Sequence, residues 1–498
     1  MYYSRPDILA PAMNVSMQHL ERVEPGYVFI SPYQTVQSGP YIYDKAGNLV
    51  YSGHADVGPY NVHNFHVCQY KGSDHLCMFQ GNQLLGYARG HYVILDNNYQ
   101  AVETVESGGG VASADQHEFR LINDGESALI TVYQPTPWDL SRINIRSQGW
   151  VQDGMFQEIN VATGKVVFQW NALNHIDPFT SYVYPKGSDV AGDGLSPQTP
   201  WDFFHINSID KSQLTGHYLI SARHIGSLLY INGSDGSIIW RLETGGKSDF
   251  ECEDFQFSFQ HDAQIRWENG THMMVSLYDN SSNMVNRTAE NSAGRIITLD
   301  METMKAYPSG PATPWPHGPL SSASQGNTQL LSNGNIFNCY GDFPFFAEFE
   351  NDGTPAWTAK LGVQNGKVMV YRAYSAPWYS VPENSRPALW TYARNSDAMV
   401  ALYVSWNGCT EVESWNFYGG NDVGDAFVKM GNTRKAGFET IYTSDTHYKY
   451  AFAEAISYGG ESLRNSSIQM TFVPGPDLAL ECNDMHCPAS NRSEAVSS

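Results

Sequence analysis

The chain has 498 residues, with 42% hydrophobic and 13% aromatic side chains, so it exceeds one ordinary core unless it repeats. A net charge of −22, from 29 basic against 51 acidic residues, argues against a nucleic-acid surface and does not favour a strongly anionic substrate. No apolar run approaches the roughly 20 residues of a membrane-spanning helix, and "MYYSRPDILAP" is not a basic-then-apolar leader.

Helical periodicity is nearly absent, and short β-rich runs alternate with Gly/Asn/Asp turns from one end to the other. The N-terminal runs are "GYVFISP" and the hairpin "YIYDKAGNLVYSG". A unit with a polar head then recurs as "HVCQYKGSDHLCMFQG" from His66, "HEFRLINDGESALITVYQ" from His117 and "HINSIDKSQLTGHYLISARH" from His205. It continues as "HDAQIRWENGTHMMVSLYDN" from His261, "NTQLLSNGNIFNCYGD" from Asn327 and, more weakly, "ALWTYARNSDAMVALYVSW" from Ala388 to Trp406. Outer hairpins such as "INVATGKVVFQW" and "LYINGSDGSIIWRL" follow the heads, each with a turn Gly before an apolar strand.

Four-strand units repeating roughly every 50 to 90 residues predict an all-β β-propeller, with six blades of four antiparallel strands, or seven. One propeller domain is expected over residues 1–474, with repeats clearest over 66–420, and a polar tail over 475–498. The N-terminal strands are expected to close the ring by pairing with "GFETIYTS" or "SIQMTFV". The Pro/Gly-rich stretch 171–200 is expected to be a loop or lid on one face.

Of the Cys residues, Cys68 and Cys77 flank the turn "KGSD", and Cys482 and Cys487 bound "CNDMHC". Either pair bonded means an oxidising compartment; the alternative is buried thiols. N-x-[ST] acceptors at Asn14, Asn232, Asn269, Asn280, Asn286, Asn465 and Asn491 point the same way, towards the secretory pathway or secretion.

In a propeller the first strand of each blade is innermost, so equivalent heads form a ring at one channel mouth. That mouth is expected to collect His66, His117, His205 and His261. The returning strands bring Arg223 and His224, then Tyr278, Asp279 and Asn280, and then Tyr340 and Asp342. The alternative is that these histidines bond neighbouring blades and close the channel. Ring members on different blades lie too far apart to share one ion, so no multi-histidine metal site is expected; a Ca²⁺ held by channel carbonyls is the alternative.

At "WDFFHINSID", "GHYLISARHIGSLLYINGSDGSIIWRL", "FSFQHDAQI" and "VSLYDN" the chain resembles the fungal arylsulfotransferase-like (ASST) family, most densely from Trp201 to Asn280. The resemblance implies a propeller of the secretory pathway. Within the family it extends to the hetero-Diels–Alderases of tropolonic sesquiterpenoid pathways. That implies a cofactor-independent enzyme of secondary metabolism, taking a small aromatic or tropolone partner and a sesquiterpene partner. Water is lost from a hydroxymethyl tropolone or phenol, and the ortho-quinone methide is joined to a humulene-type alkene as a dihydropyran.

In that reading His261, His205 and His224 shuttle the proton, Asp279 orients His261, and Arg223 holds the tropolone oxygens. His66, His117, Tyr278, Asn327, Tyr340 and Phe204 complete the substrate pocket, with Phe203, Phe257 and Phe259 as further walls. Asp262, next along the strand from His261, is expected to point to the other face. The alternatives are sulfotransfer between phenols without a nucleotide sulfate donor, through a channel histidine, and a non-catalytic ligand-binding propeller.

Overall fold

The computed structural model describes residues 2–187, 190–362, 368–424 and 426–487. Strands dominate, and the two described α-helices are the single turns His54–Val57 and Pro476–Ala479. No helix of the described residues is long and apolar enough to cross a membrane.

The unit from His205 shows how the sequence builds a blade. Ile206–Lys211, Tyr218–Ala222, Ser227–Ile231 and Ile238–Glu243 form one antiparallel sheet in chain order. Its middle strands are buried throughout, because both faces of a blade are covered by neighbours. Successive side chains point to opposite faces. Ile220, Leu229 and Ile231 therefore join the preceding blade's Phe156 and Trp170 in one core. Leu219, Leu228 and Tyr230 join the following blade's Val275, Leu277 and Leu299 in another. Trp170 donates its indole N–H to the carbonyl of Gly236 at 3.0 Å, tying one outer hairpin to the turn of the next.

The leading strands are Asn61–Tyr70, Ala114–Ile122, Ile206–Lys211, His261–Glu268, Asn327–Leu330 and Met369–Ala376. Among the described residues each packs against the next, and the last packs against the first. The chain is an all-β propeller, as its repeats predict.

Ring closure differs from expectation. Tyr27–Tyr33 pairs with Met369–Ala376, not with the strands of "GFETIYTS" or "SIQMTFV". Met369–Ala376 takes the innermost place, and the N-terminal chain supplies the other three strands of that sheet. The "ALWTYARNSDAMVALYVSW" hairpin is likewise not a blade. It pairs with Glu439–Ser444, and this sheet faces a second one built on Val412–Gly420 and Tyr450–Ser457. Between them lies a separate core of Leu402, Val404, Trp415, Phe417, Ala453 and Ala455. Asn407 fastens this layer to the propeller: its side chain accepts from the Ser52 N–H at 2.9 Å and donates to the Ser52 carbonyl at 3.0 Å. It thereby covers the free edge of the outermost strand Leu49–Ser52.

Cys68 is bonded to Cys77 and Cys482 to Cys487, with Cα atoms 5.9 and 4.4 Å apart. Cys252, Cys339 and Cys409 are thiols.

Candidate functional site

The leading strands enter the channel through irregularities. Pairing register shifts between His63 and His66, between Ile206 and Ser208, and between His261 and Gln264. Asn64, His205 and Asp262 sit at φ near 57°, 55° and 55°. A left-handed residue at such a bulge breaks the alternation of a strand, so consecutive side chains both turn inward. This corrects the expectation for Asp262. His261 faces a cavity above, while Asp262 reaches down the channel, 3.4 Å from Arg372 Nη1.

The cavity has a volume of about 420 Å³ and is walled by His117, His205, Arg223, His261, Gln325 and Tyr371, with Leu84 and Leu85 at its rim. His117 and His205 are held alike. Asp115 Oδ1 lies 2.5 Å from His117 Nδ1 and also accepts the His117 backbone N–H. Asp202 Oδ2 lies 2.5 Å from His205 Nδ1, and its Oδ1 accepts the His205 backbone N–H at 3.0 Å. Both imidazoles therefore carry hydrogen on Nδ1 and turn Nε2 to the cavity, with ring centroids 4.9 Å apart. Burial, then the nearby His117 and Arg223, push His205 well below the ordinary imidazole value, so its Nε2 lone pair is available at neutral pH. Burial pushes Asp115 upward, but His117 and the Ala88 N–H together outweigh it and leave that carboxyl low; burial raises Asp202.

His224 and His261 have both nitrogens engaged. His224 Nδ1 donates to the Asp202 carbonyl at 2.6 Å, and Nε2 accepts from Arg223 Nη1 at 2.6 Å. His224 thus positions Arg223, whose Nη2 donates to the Ala323 carbonyl at 2.8 Å and whose guanidinium lies over Phe259. Asp202, His205 and His224 also bring metal-type ligand atoms within 4.8 Å of one another. The set does not fit a cation, because a guanidinium already occupies His224 Nε2 and the Asp202 carboxylate holds His205.

His261 Nδ1 donates to Asn280 Oδ1 at 2.7 Å, and its Nε2 accepts the Gln325 N–H at 3.2 Å. Asp279 is not its partner. His261 pairs in register with Tyr278, so Asp279 points away from it and stays buried, accepting from Arg295 Nε at 2.7 Å. Asn280 is fully buried and also donates to the Gln325 carbonyl at 3.0 Å, which removes it as a glycosylation acceptor. Asn14, Asn269, Asn286 and Asn465 are exposed and Asn232 partly so, while Asn491 lies outside the described residues.

Most of the expected pocket residues lie elsewhere. His66 sits deeper, its Nδ1 bonded to the Asn64 carbonyl at 2.7 Å and its ring against Tyr374. Its place beside the cavity is taken by His63, a buried imidazole between Tyr33 and Tyr371 that burial pushes down to about 3. Asn327 clamps the backbone of Ala373 at 2.8 and 3.0 Å. Tyr278 and Tyr340 pack edge to face in a blade core, Phe203 and Phe204 belong to another, and Phe257 to a third. The sequence reading missed Asp115, Asp202, Gln325, Tyr371 and Arg372. The signal for the first two was available, since "DQH" and "DFFH" put a carboxylate just before a head histidine.

Below the cavity the channel is closed by paired charges. Arg372 Nη1 lies 3.0 Å from Glu118, and Nη2 donates to the Asn207 carbonyl at 2.7 Å. Arg120 pairs with Asp210 at 3.1 Å, and Arg266 donates to the Thr328 carbonyl at 2.7 Å. Burial raises Asp262 to about 6 against the opposing pull of Arg372 and Arg266.

No curated protein matches the chain. Among solved structures it is similar to a protein of unknown function from Bacteroides caccae, at 11% identity over 70% of this chain and 98% of that one, with a TM-score of 0.38. It is also similar to the Myceliophteria thermophila Cps50 (Swd1) beta-propeller domain, at 11% identity over 69% and 96%, with a TM-score of 0.31. The arylsulfotransferase (ASST) family model matches residues 66–362, which carry the leading strands from Asn61–Tyr70 to Asn327–Leu330 and the aspartate-held histidines, and the chain belongs to that family.

Proposed function

We propose that the cavity is an acid–base site that dehydrates a hydroxymethyl tropolone or phenol to an ortho-quinone methide. It then joins this heterodiene to an alkene of a humulene-type sesquiterpene, closing a dihydropyran. The observation that carries this reading is the pair of aspartate-held histidines with Nε2 turned into one cavity. The proton leaves the phenolic or tropolone oxygen on Nε2 of His205 or His117, whose aspartate stabilises the imidazolium. It is returned to the departing hydroxyl, which leaves as water. The cycloaddition itself moves no proton; it needs both partners held in reacting geometry. Arg223, fixed by His224 and Ala323, is placed to hold an oxygen of the aromatic partner. No cofactor enters this scheme.

Sulfotransfer between phenols is the second reading, favoured by the family and by Arg223 beside the histidines. In it the nucleophile is His205 or His117 and not His261, whose Nε2 already accepts a backbone N–H. Two carboxylates stand behind these histidines, and among the described residues Arg223 is the one permanent cation lining the cavity, a poor match to a sulfuryl group in transit. Incubation with the hydroxymethyl tropolone and humulene-type alkene, followed by mass analysis, is expected to give the dehydrated adduct. Release of nitrophenol from p-nitrophenyl sulfate with a phenol acceptor, and no adduct, reverses the order. Neither product leaves a binding propeller. The bonded Cys pairs and exposed Asn acceptors support a secretory-pathway location.

A further inference from the structure

The cavity rim carries a feature that acid–base chemistry does not use. Strands Ser73–Gln83 and Ala88–Leu95 are joined by a tight turn closed by the Leu84 N–H on the Tyr87 carbonyl at 2.7 Å. Such turns favour Gly, Asn and Asp. Here the turn presents two successive leucines, 46% and 59% exposed, and both line the cavity. Single exposed apolar residues need no explanation, but an adjacent pair on the wall of a cavity forms a patch that water solvates poorly.

The turn is held in place on both sides. Gly86 has φ of +80°, and a Cβ there would lie 2.9 Å from Val190 Cβ, so the turn abuts the 171–200 insert. Tyr87 stacks on Tyr133, whose ring lies 5.2 Å from His117 and 5.8 Å from His205. The leucines are therefore fixed relative to the histidine pair, and Met369 adds apolar surface to the same cavity.

We infer that Leu84 and Leu85 form a hydrocarbon subsite, which selects substrates bearing an extended apolar portion beside the oxygenated group read by His117 and His205. The inference rests on the cavity being the substrate site proposed above, and it concerns binding, not turnover.

Titration calorimetry of the full chain with phenol, para-butylphenol and para-octylphenol tests it. Covering both leucines predicts that the octyl compound binds at least about tenfold tighter than phenol. The Leu84→Ser/Leu85→Ser variant is expected to cut that ratio below about threefold, while Leu84→Met/Leu85→Met keeps it. Thermal melts confirm that both variants are folded. No chain-length gain in the parent protein, no binding of any of the three, or an undiminished gain in the serine variant overturns the subsite. A preserved gain without quinone-methide chemistry sinks the reaction alone. Adduct formation with binding blind to chain length sinks the subsite alone.

Discussion

At the cavity end of the channel, His117 and His205 each spend one nitrogen on an aspartate and keep the other for the cavity. A short way below, Arg372, Glu118 and Asp262 spend their charges on one another and on backbone carbonyls. Both regions are buried, and both are built from residues at the heads of leading strands. They differ in what meets the charged and basic atoms. Buried charges matched by opposite charges fix the positions of the strands that carry them, whereas a lone pair turned to a cavity is available for chemistry. His224 and His261 fall between the two: they sit at the cavity, but their nitrogens are spent on holding Arg223 and the Gln325 backbone.

Opening the lower network is expected to have the largest effect. Arg372→Met leaves Glu118 and Asp262 buried without their cation and is expected to cost about 3–5 kcal/mol in urea unfolding. A loss below 1 kcal/mol would show that the network does not hold the channel. Next in size, His205→Ala and His117→Ala are each expected to lower turnover about 100-fold while shifting the melting temperature little. Equal damage to rate and stability would erase the distinction between the regions. Asn280→Ala sharpens the intermediate case. It removes the partner of His261 Nδ1 and a tie to the Gln325 carbonyl, so about 2 kcal/mol of stability is expected to go, with a rate change within about threefold.

The smallest effect is in pH. Asp262 is raised to about 6 in the folded protein, above its unfolded value near 3.9. Its contribution to stability is therefore fully present below the unfolded value and is lost as pH rises through about 6. Relative to Asp262→Asn, the parent protein is expected to lose about 1–2 kcal/mol between pH 4 and pH 7. A flat or rising difference in urea midpoints would mean that Arg372 outweighs burial.

The propeller was legible because its signal is periodic: polar heads, turn glycines and strands buried on both faces recur often enough to survive a weak copy. Met369–Ala376 was missed because "MVYRAYSA" has no following hairpin; its three partner strands lie at the other end of the chain. "ALWTYARNSDAMVALYVSW" was misread because a hairpin in a two-sheet layer has the same alternation as one in a blade. At the site, His117, His205, Arg223 and His261 were placed at one cavity from the repeat alone. Which atoms pair with which is not legible there, because strand alternation does not hold through the heads. The bulges at Asn64, His205 and Asp262 cancel it, exchanging Asp279 for Asn280 and His66 for His63.

The pairing of Tyr27–Tyr33 with Met369–Ala376 also sets a schedule. The first three strands of that sheet leave the ribosome early, but the strand that fills their innermost place is made only after every other leading strand. Until then the N-terminal segment keeps an open edge, and the channel cannot be sealed by Arg372, which the same late strand carries. Synthesis therefore delivers the ring closure, the Tyr371 wall of the cavity and the cation of the lower network in a single stroke, so that a chain truncated before this strand lacks all three.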